Sequence, residues 1–164
     1  MEDGEFLRLF HDGNLSGEEF RCRGHPRLAW LVLSKHSRIE AEGIVAREIR
    51  RFAIANGSSS RYTLTRFWVR LVGHAMANAP EARSIDELLA RFPFLLEKGL
   101  PFKHWRGETL NSDQARARWV EPDLVPCPEL DPSVRCPGLV ASGSKRAFLA
   151  GVSSLRAGTI GVRC

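Results

Sequence analysis

Apolar residues recur along this chain with the period of an α-helix, and polar caps divide them into separate elements. From Arg38 to Ala55, Val45, Ile49 and Phe52 stand at i, i+4 and i+7, and Asn56-Gly57 then supplies a stop. From Arg61 to Asn78 the stripe is stronger, with Leu64, Phe67, Trp68, Leu71, Val72 and Ala75, and it ends before Pro80. Tyr62-Thr63-Leu64-Thr65 alternates like a strand but merges directly into that stripe, so it reads as the helix N-terminus. Between Pro26 and His36 the apolar residues are nearly continuous, which predicts a central helix covered on most sides. Pro26 suits its first turn, where an N–H has no intrahelical partner.

Helix starts are marked by serine caps. Ser16-Gly17-Glu18-Glu19, Ser37-Arg38-Ile39-Glu40 and Ser84-Ile85-Asp86-Glu87 have the form of capping boxes. Ser112-Asp113-Gln114 begins a fourth helix with an acid where the macrodipole favours one. Glu87 to Arg91 and Phe94 to Lys98 read as two short helices divided at Pro93, the second closed by Gly99. After Trp119 the character changes: Pro122, Pro126, Pro128, Pro132 and Pro137 make residues 121–138 an extended segment, lying over the domain or leaving it. In residues 139–164, Phe148, Val152 and Leu155 have helical spacing, but Gly143, Gly151, Gly158 and Gly161 weaken any helix. The pattern predicts an all-α fold, a compact bundle of about five to seven helices over residues 3–120, with a Pro-rich extension and a weakly ordered basic tail.

Composition narrows the class. A chain of 164 residues with 43% hydrophobic side chains can bury its own core without a metal or disulfide. The longest apolar run, Leu28 to Leu33, falls far short of the ~20 residues that span a membrane. The opening Met1-Glu2-Asp3-Gly4-Glu5 is acidic where a secretory leader is basic and then apolar, so the expected compartment is the cytoplasm. Cys22, Cys127, Cys136 and Cys164 contain no C-x-x-C and are expected to be free thiols, although Cys127 and Cys136 flank a Pro-rich loop and could pair if oxidised. The formal charge of +5 divides unevenly: Lys145, Arg146, Arg156 and Arg163 sit in residues 139–164 with no acid among them. The other 20 basic residues stand against all 19 acids, so the helical region is nearly neutral.

Candidate chemistry centres on Phe20-Arg21-Cys22-Arg23-Gly24-His25. On an α-helix Cys22 and His25 share a face, and a thiolate with an imidazole suits a divalent metal such as zinc. Such a site needs three or four protein ligands, and His74, on the core side of the strongest stripe, is the best further donor. The plainer reading makes His74 a hydrogen-bonded histidine at the core edge and Cys22 a small buried hydrophobe. Arg47, Arg50 and Arg51 near the end of one helix, with Arg66 and Arg70 on the next, would form a phosphate-tracking stripe if the two packed antiparallel. Glu40, Glu42 and Glu48 on the first of these helices favour a salt-bridged, solvated face instead, so nucleic acid is not the expected partner. Trp30 and Trp68 belong to core stripes. Trp105, between helices, is the one aromatic placed to line a pocket or interface, although packing is preferred for it too. No nucleophile-elbow pattern is present, and Gly143-Ser144-Lys145 lacks the setting of a phosphate loop.

Three runs carry a resemblance: Phe20 to Trp30, Tyr62 to Trp68, and Ala115 to Leu124. Across roughly residues 15–128 they resemble an uncharacterised family of small all-helical bacterial proteins. The resemblance implies histidines at the positions of Cys22 and His25 and a Tyr-His-Glu-Thr motif beginning at Tyr62, and hence a His/Glu metal or acid–base site. Here Cys22 replaces the first histidine, Gly24 an acid and Pro26 an aliphatic residue, and Tyr62 runs straight into Thr63. Only His25 matches at its motif position. Two readings follow. One is a small-molecule or metal site near Cys22, His25 and His74. The other is a non-catalytic helical module that binds a protein or, weakly, nucleic acid through Arg47, Arg50, Arg51, Arg66, Arg70 and Trp105.

Overall fold

The computed structural model describes residues 1–127, apart from the side chains of Glu19, Arg21 and Cys22. Within them the chain is all helix, with no strand. Helix α1 spans Asp3–His11, and a short α2 (Gly17–Glu19) runs through a π-helical segment, Phe20–Gly24, into α3 (His25–Leu33). The long helices α4 (Arg38–Ala55) and α5 (Tyr62–Asn78) follow. Then come α6 (Ile85–Arg91), a 3-10 turn (Pro93–Leu96), α7 (Pro101–His104), α8 (Gly107–Asn111) and α9 (Asp113–Ala117).

Local signals fix the long helices. The Ser37 hydroxyl accepts from the Glu40 N–H while the Glu40 carboxylate accepts from the Ser37 N–H at 3.0 Å, a complete capping box at the start of α4. Gly57, at φ +63°, takes the left-handed conformation that ends it. At α6 the box is half formed: Ser84 caps Glu87, but the Glu87 carboxylate accepts from Arg83 one position earlier. Ser112 caps α9 through the Ala115 N–H, as its sequence predicts.

Helices α3, α4 and α5 pack against one another, and α5 is the central rod, buried along most of its length. Its Phe67, Trp68, Leu71, Val72 and Ala75 meet Leu28, Ala29 and Leu33 of α3 and Val45, Ile49 and Phe52 of α4 in one core. Phe10 of α1 closes one end, its ring 4.8 Å from Phe52 and 5.4 Å from Phe20. Two expected helices differ in extent. The central helix stops at Leu33 rather than His36, because the chain must become extended at Ser37 to cap α4. Phe94 to Lys98 is not an α-helix, since Pro93, with its fixed φ and no N–H, opens a four-residue 3-10 turn instead.

The Pro-rich extension lies over the domain as far as it is described. Buried Thr63 on α5 donates to the Arg118 carbonyl at 2.7 Å and accepts from the Val120 N–H at 3.1 Å. The Trp105 indole donates to the Val120 carbonyl at 3.0 Å. Asp123 then accepts from the Arg106 N–H and the Thr109 hydroxyl. Finally, the Leu124 N–H donates to the His104 carbonyl, and His104 Nδ1 donates to the Val125 carbonyl at 2.9 Å. Residues 119–125 therefore form a strap across α5, α7 and α8. Residues 128–138 of the extension and the tail over 139–164 lie outside the described residues.

Candidate functional site

The site grows out of the π-helical segment. A Cβ on Gly24 would stand 2.3 Å from Phe20 Cδ2 and 2.8 Å from Phe20 Cγ, so glycine is required for the Phe20 ring to lie where it does. The ring in turn packs 5.0 Å from Phe52, which anchors the segment to α4. A π-turn closes i→i+5 rather than i→i+4, and such segments are frequent at functional sites. The wider turn also removes the α-helical register on which a shared face for positions 22 and 25 depends.

His25 opens α3, with its ring 4.5 Å from Phe20 and 6.4 Å from Trp68. Burial against these rings pushes its pKa down to about 4, so the imidazole is neutral at physiological pH. It retains partial solvent contact, and neither ring nitrogen has a hydrogen-bond partner among the described residues. A pinned, neutral imidazole with both nitrogens open can accept one hydrogen bond and donate another.

His74 is buried, as its place on the stripe predicts, and burial lowers its pKa as well. It lies six positions beyond Trp68 on α5, ~9 Å along the axis. The adjacent Gly73 faces Leu33, at the opposite end of α3 from His25. The fold thus brings His25 to Phe20 and Trp68, not to His74. Among the described residues no three His, Cys, Asp or Glu side chains are grouped as a metal would require. The side chain of Cys22, the third expected donor, lies outside the described ones.

The arginines separate into two occupied clusters. Glu42 holds both Arg66 (2.9 Å) and Arg70 (3.2 Å), and the two guanidiniums lie over the Trp119 ring. Glu48 holds Arg51 (3.2 Å) and Arg47 (3.4 Å), with His11 beside it. The geometry is a salt-bridged face, with Arg50 alone of the five making no ion pair among the described residues. Trp105 offers nothing to a partner: it is fully buried, edge-on to Phe67 at 5.4 Å and to Trp119 at 5.5 Å.

The strap anchors Thr63, His104 and Asp123 are not singled out by spacing. The signal available for Thr63 is a polar side chain on the buried side of an apolar stripe, a placement that demands a hydrogen-bond partner. Burial beside Glu121 pushes the Cys127 thiol up to about 12, so it stays protonated and unreactive. No helix among the described residues is long and apolar enough to cross a membrane. Comparison of the chain with protein-family models, with curated proteins and with solved structures finds no match.

Proposed function

We propose that this chain is a helical binding protein, a divergent relative of the family its motifs resemble, and that His25 at the π-helical segment is its contact with a small molecule. The observation carrying this reading is the neutral imidazole, pinned between Phe20 and Trp68 with no hydrogen-bond partner among the described residues. A ligand with a flat apolar body and a polar edge matches that arrangement, because the rings supply contact area and the imidazole supplies direction. Metal is a weaker version of the same proposal, since His25 and His74 stand apart.

A thermal-shift screen against a metabolite library, run in parallel on the parent chain and on His25→Phe, tests the proposal. A compound that stabilises the parent and not the variant supports it; no such compound in the whole library sinks it. Zinc belongs in the same screen, with Cys22→Ser added, and a shift lost in both variants would restore the metal version. A second reading, a protein-binding module, is favoured by Phe102 on α7, which is 55% exposed, and by the exposed Leu124 and Val125 of the strap bonded to His104 of that helix. Phosphate tracking is disfavoured because Glu42 and Glu48 already neutralise four of the five arginines. Nucleic-acid affinity falling steeply with salt would reverse that judgement.

A further inference from the structure

Helix α4 buries Ala41, Val45, Ile49, Phe52 and Ala53 and presents the opposite face to solvent. That outer face carries the two most exposed large hydrophobic residues among those described, Ile39 at 82% and Ile54 at 66%. At 100° per residue, Ile39, Gly43, Arg50 and Ile54 fall within ~60° of one another around the axis. The face therefore has an isoleucine at each end, a glycine near one isoleucine and an unpaired arginine near the other. Nothing lies within 4 Å of where a Gly43 side chain would begin, so the backbone there is bare.

These positions mirror one another about the midpoint between Ala46 and Arg47. Ile39 and Ile54 are equidistant from it, and so are Gly43 and Arg50. Such a pattern is what an isologous two-fold contact requires, in which residue i meets j and j meets i. We propose that the outer face of α4 is a self-association surface and that its occupant is the same face of a second copy, running antiparallel. Ile39 of each copy then covers Ile54 of the other. The Arg50 stem crosses the bare backbone at the second copy's Gly43 and brings its guanidinium to the second copy's Glu40, one turn away. Glu40 suits that role: hydrogen bonds from Ser37 hold its carboxyl below the usual range, so it is ionised, and it lies in solvent. The two-fold repeats this charge pair, and Arg50 gains an ion-pair partner that it lacks among the described residues.

The contact is small. Ile39 and Ile54 are fifteen positions apart, ~22 Å along the helix, and one helix face of that length stays below the ~1,200 Å² typical of stable complexes. A weak dimer follows, with a Kd of about 10–100 µM. Sedimentation equilibrium of the full chain from about 5 to 500 µM reads this directly. The apparent mass should climb toward twice the monomer. Ile54→Glu and Arg50→Glu should each weaken association by about tenfold or more, the second by setting a carboxylate against Glu40. Both positions are exposed, so circular dichroism should be unchanged. Phe102→Ser, at an exposed apolar residue elsewhere, should leave the dimer intact. A chain that stays monomeric throughout overturns the proposal, as does a dimer that ignores Ile54→Glu and Arg50→Glu or one that dissociates only with Phe102→Ser.

Discussion

Acidification should destabilise this fold through His25 before the carboxylates titrate. Its pKa in the folded chain is about 4, against 6.5 in an unfolded one. Above pH 6.5 the ring is neutral in both states and makes no difference to stability. As the pH falls below 6.5 the unfolded chain takes up the proton while the folded chain resists it down to about 4, so stability is lost across that window. Between pH 7.5 and pH 5 the loss from this one group integrates to ~2 kcal/mol. That figure is a ceiling, because the ring keeps some contact with water. Urea unfolding followed by tryptophan fluorescence, at half-unit steps between those limits, measures it in the parent and in His25→Phe. The variant keeps a ring against Phe20 and Trp68 but cannot ionise, so its profile should be flatter by about 1–2 kcal/mol. Buried His74, also shifted downward, adds to the slope of both proteins and cancels in the difference. Parallel profiles would refute the account of His25 as a desolvated neutral imidazole.

Two helical glycines should respond in opposite directions. Gly24→Ala drives a methyl into the Phe20 ring and should cost about 1–3 kcal/mol despite alanine's better helix propensity, whereas Gly43→Ala meets open space and should gain up to ~1 kcal/mol. Melting temperatures at low protein concentration separate the two signs. Thr63→Val keeps the shape but strips both strap bonds and should cost about 2–3 kcal/mol, with Trp119 fluorescence shifting toward that of exposed indole; an unshifted spectrum at native stability would show that the strap is held by its other contacts. Trp105→Ala should cost about 3–5 kcal/mol by chemical denaturation, as expected of a core residue, and a near-neutral effect would contradict its burial.

The sequence announces those parts of the fold whose causes are local. Helix α4 runs from Arg38 to Ala55 as its pattern predicts because both its ends are written nearby, in the Ser37–Glu40 box and at Gly57. Helix α5 begins within one residue of its expected start because its apolar stripe is long. Helix α1 is clearly amphipathic, with Phe6 and Phe10 buried, but its nine residues start without a side-chain cap, so no local boundary marks it out. Helices α7 and α8, of four and five residues, carry too little periodicity to stand out. The π-helical segment is beyond local reading altogether. It depends on Phe20 finding Phe52 and Phe10 across the core, and on Gly24 leaving room for that ring. His25 is legible as a candidate from its motif, and Cys22 as its neighbour in sequence. What surrounds His25 is not, because Trp68 arrives from α5, forty-three positions away, and the wider turn changes the register between positions 22 and 25. Of the two readings of the arginines, the geometry fits the preferred salt-bridged face: Glu42 of α4 pairs with both Arg66 and Arg70 of α5, a pairing that spacing within either helix does not fix.

His25 is also where stability and function pull apart. A partly buried imidazole without a hydrogen bond contributes ring contact that phenylalanine would supply equally well, and it adds a desolvation cost that phenylalanine would not. Nothing in the packing demands a histidine there. Two other polar side chains buried in the same core are bonded: Thr63 makes two hydrogen bonds and His104 is bonded to the strap. Departures from such consistency are expected where a residue is kept for what it binds rather than for what it packs against. On that logic His25→Phe should be at least as stable as the parent at pH 7.5 and clearly more stable at pH 5, while losing any ligand response. A variant less stable than the parent at both pH values would mean that the imidazole has a structural bond of its own, and the case for His25 as a ligand contact would fall with it.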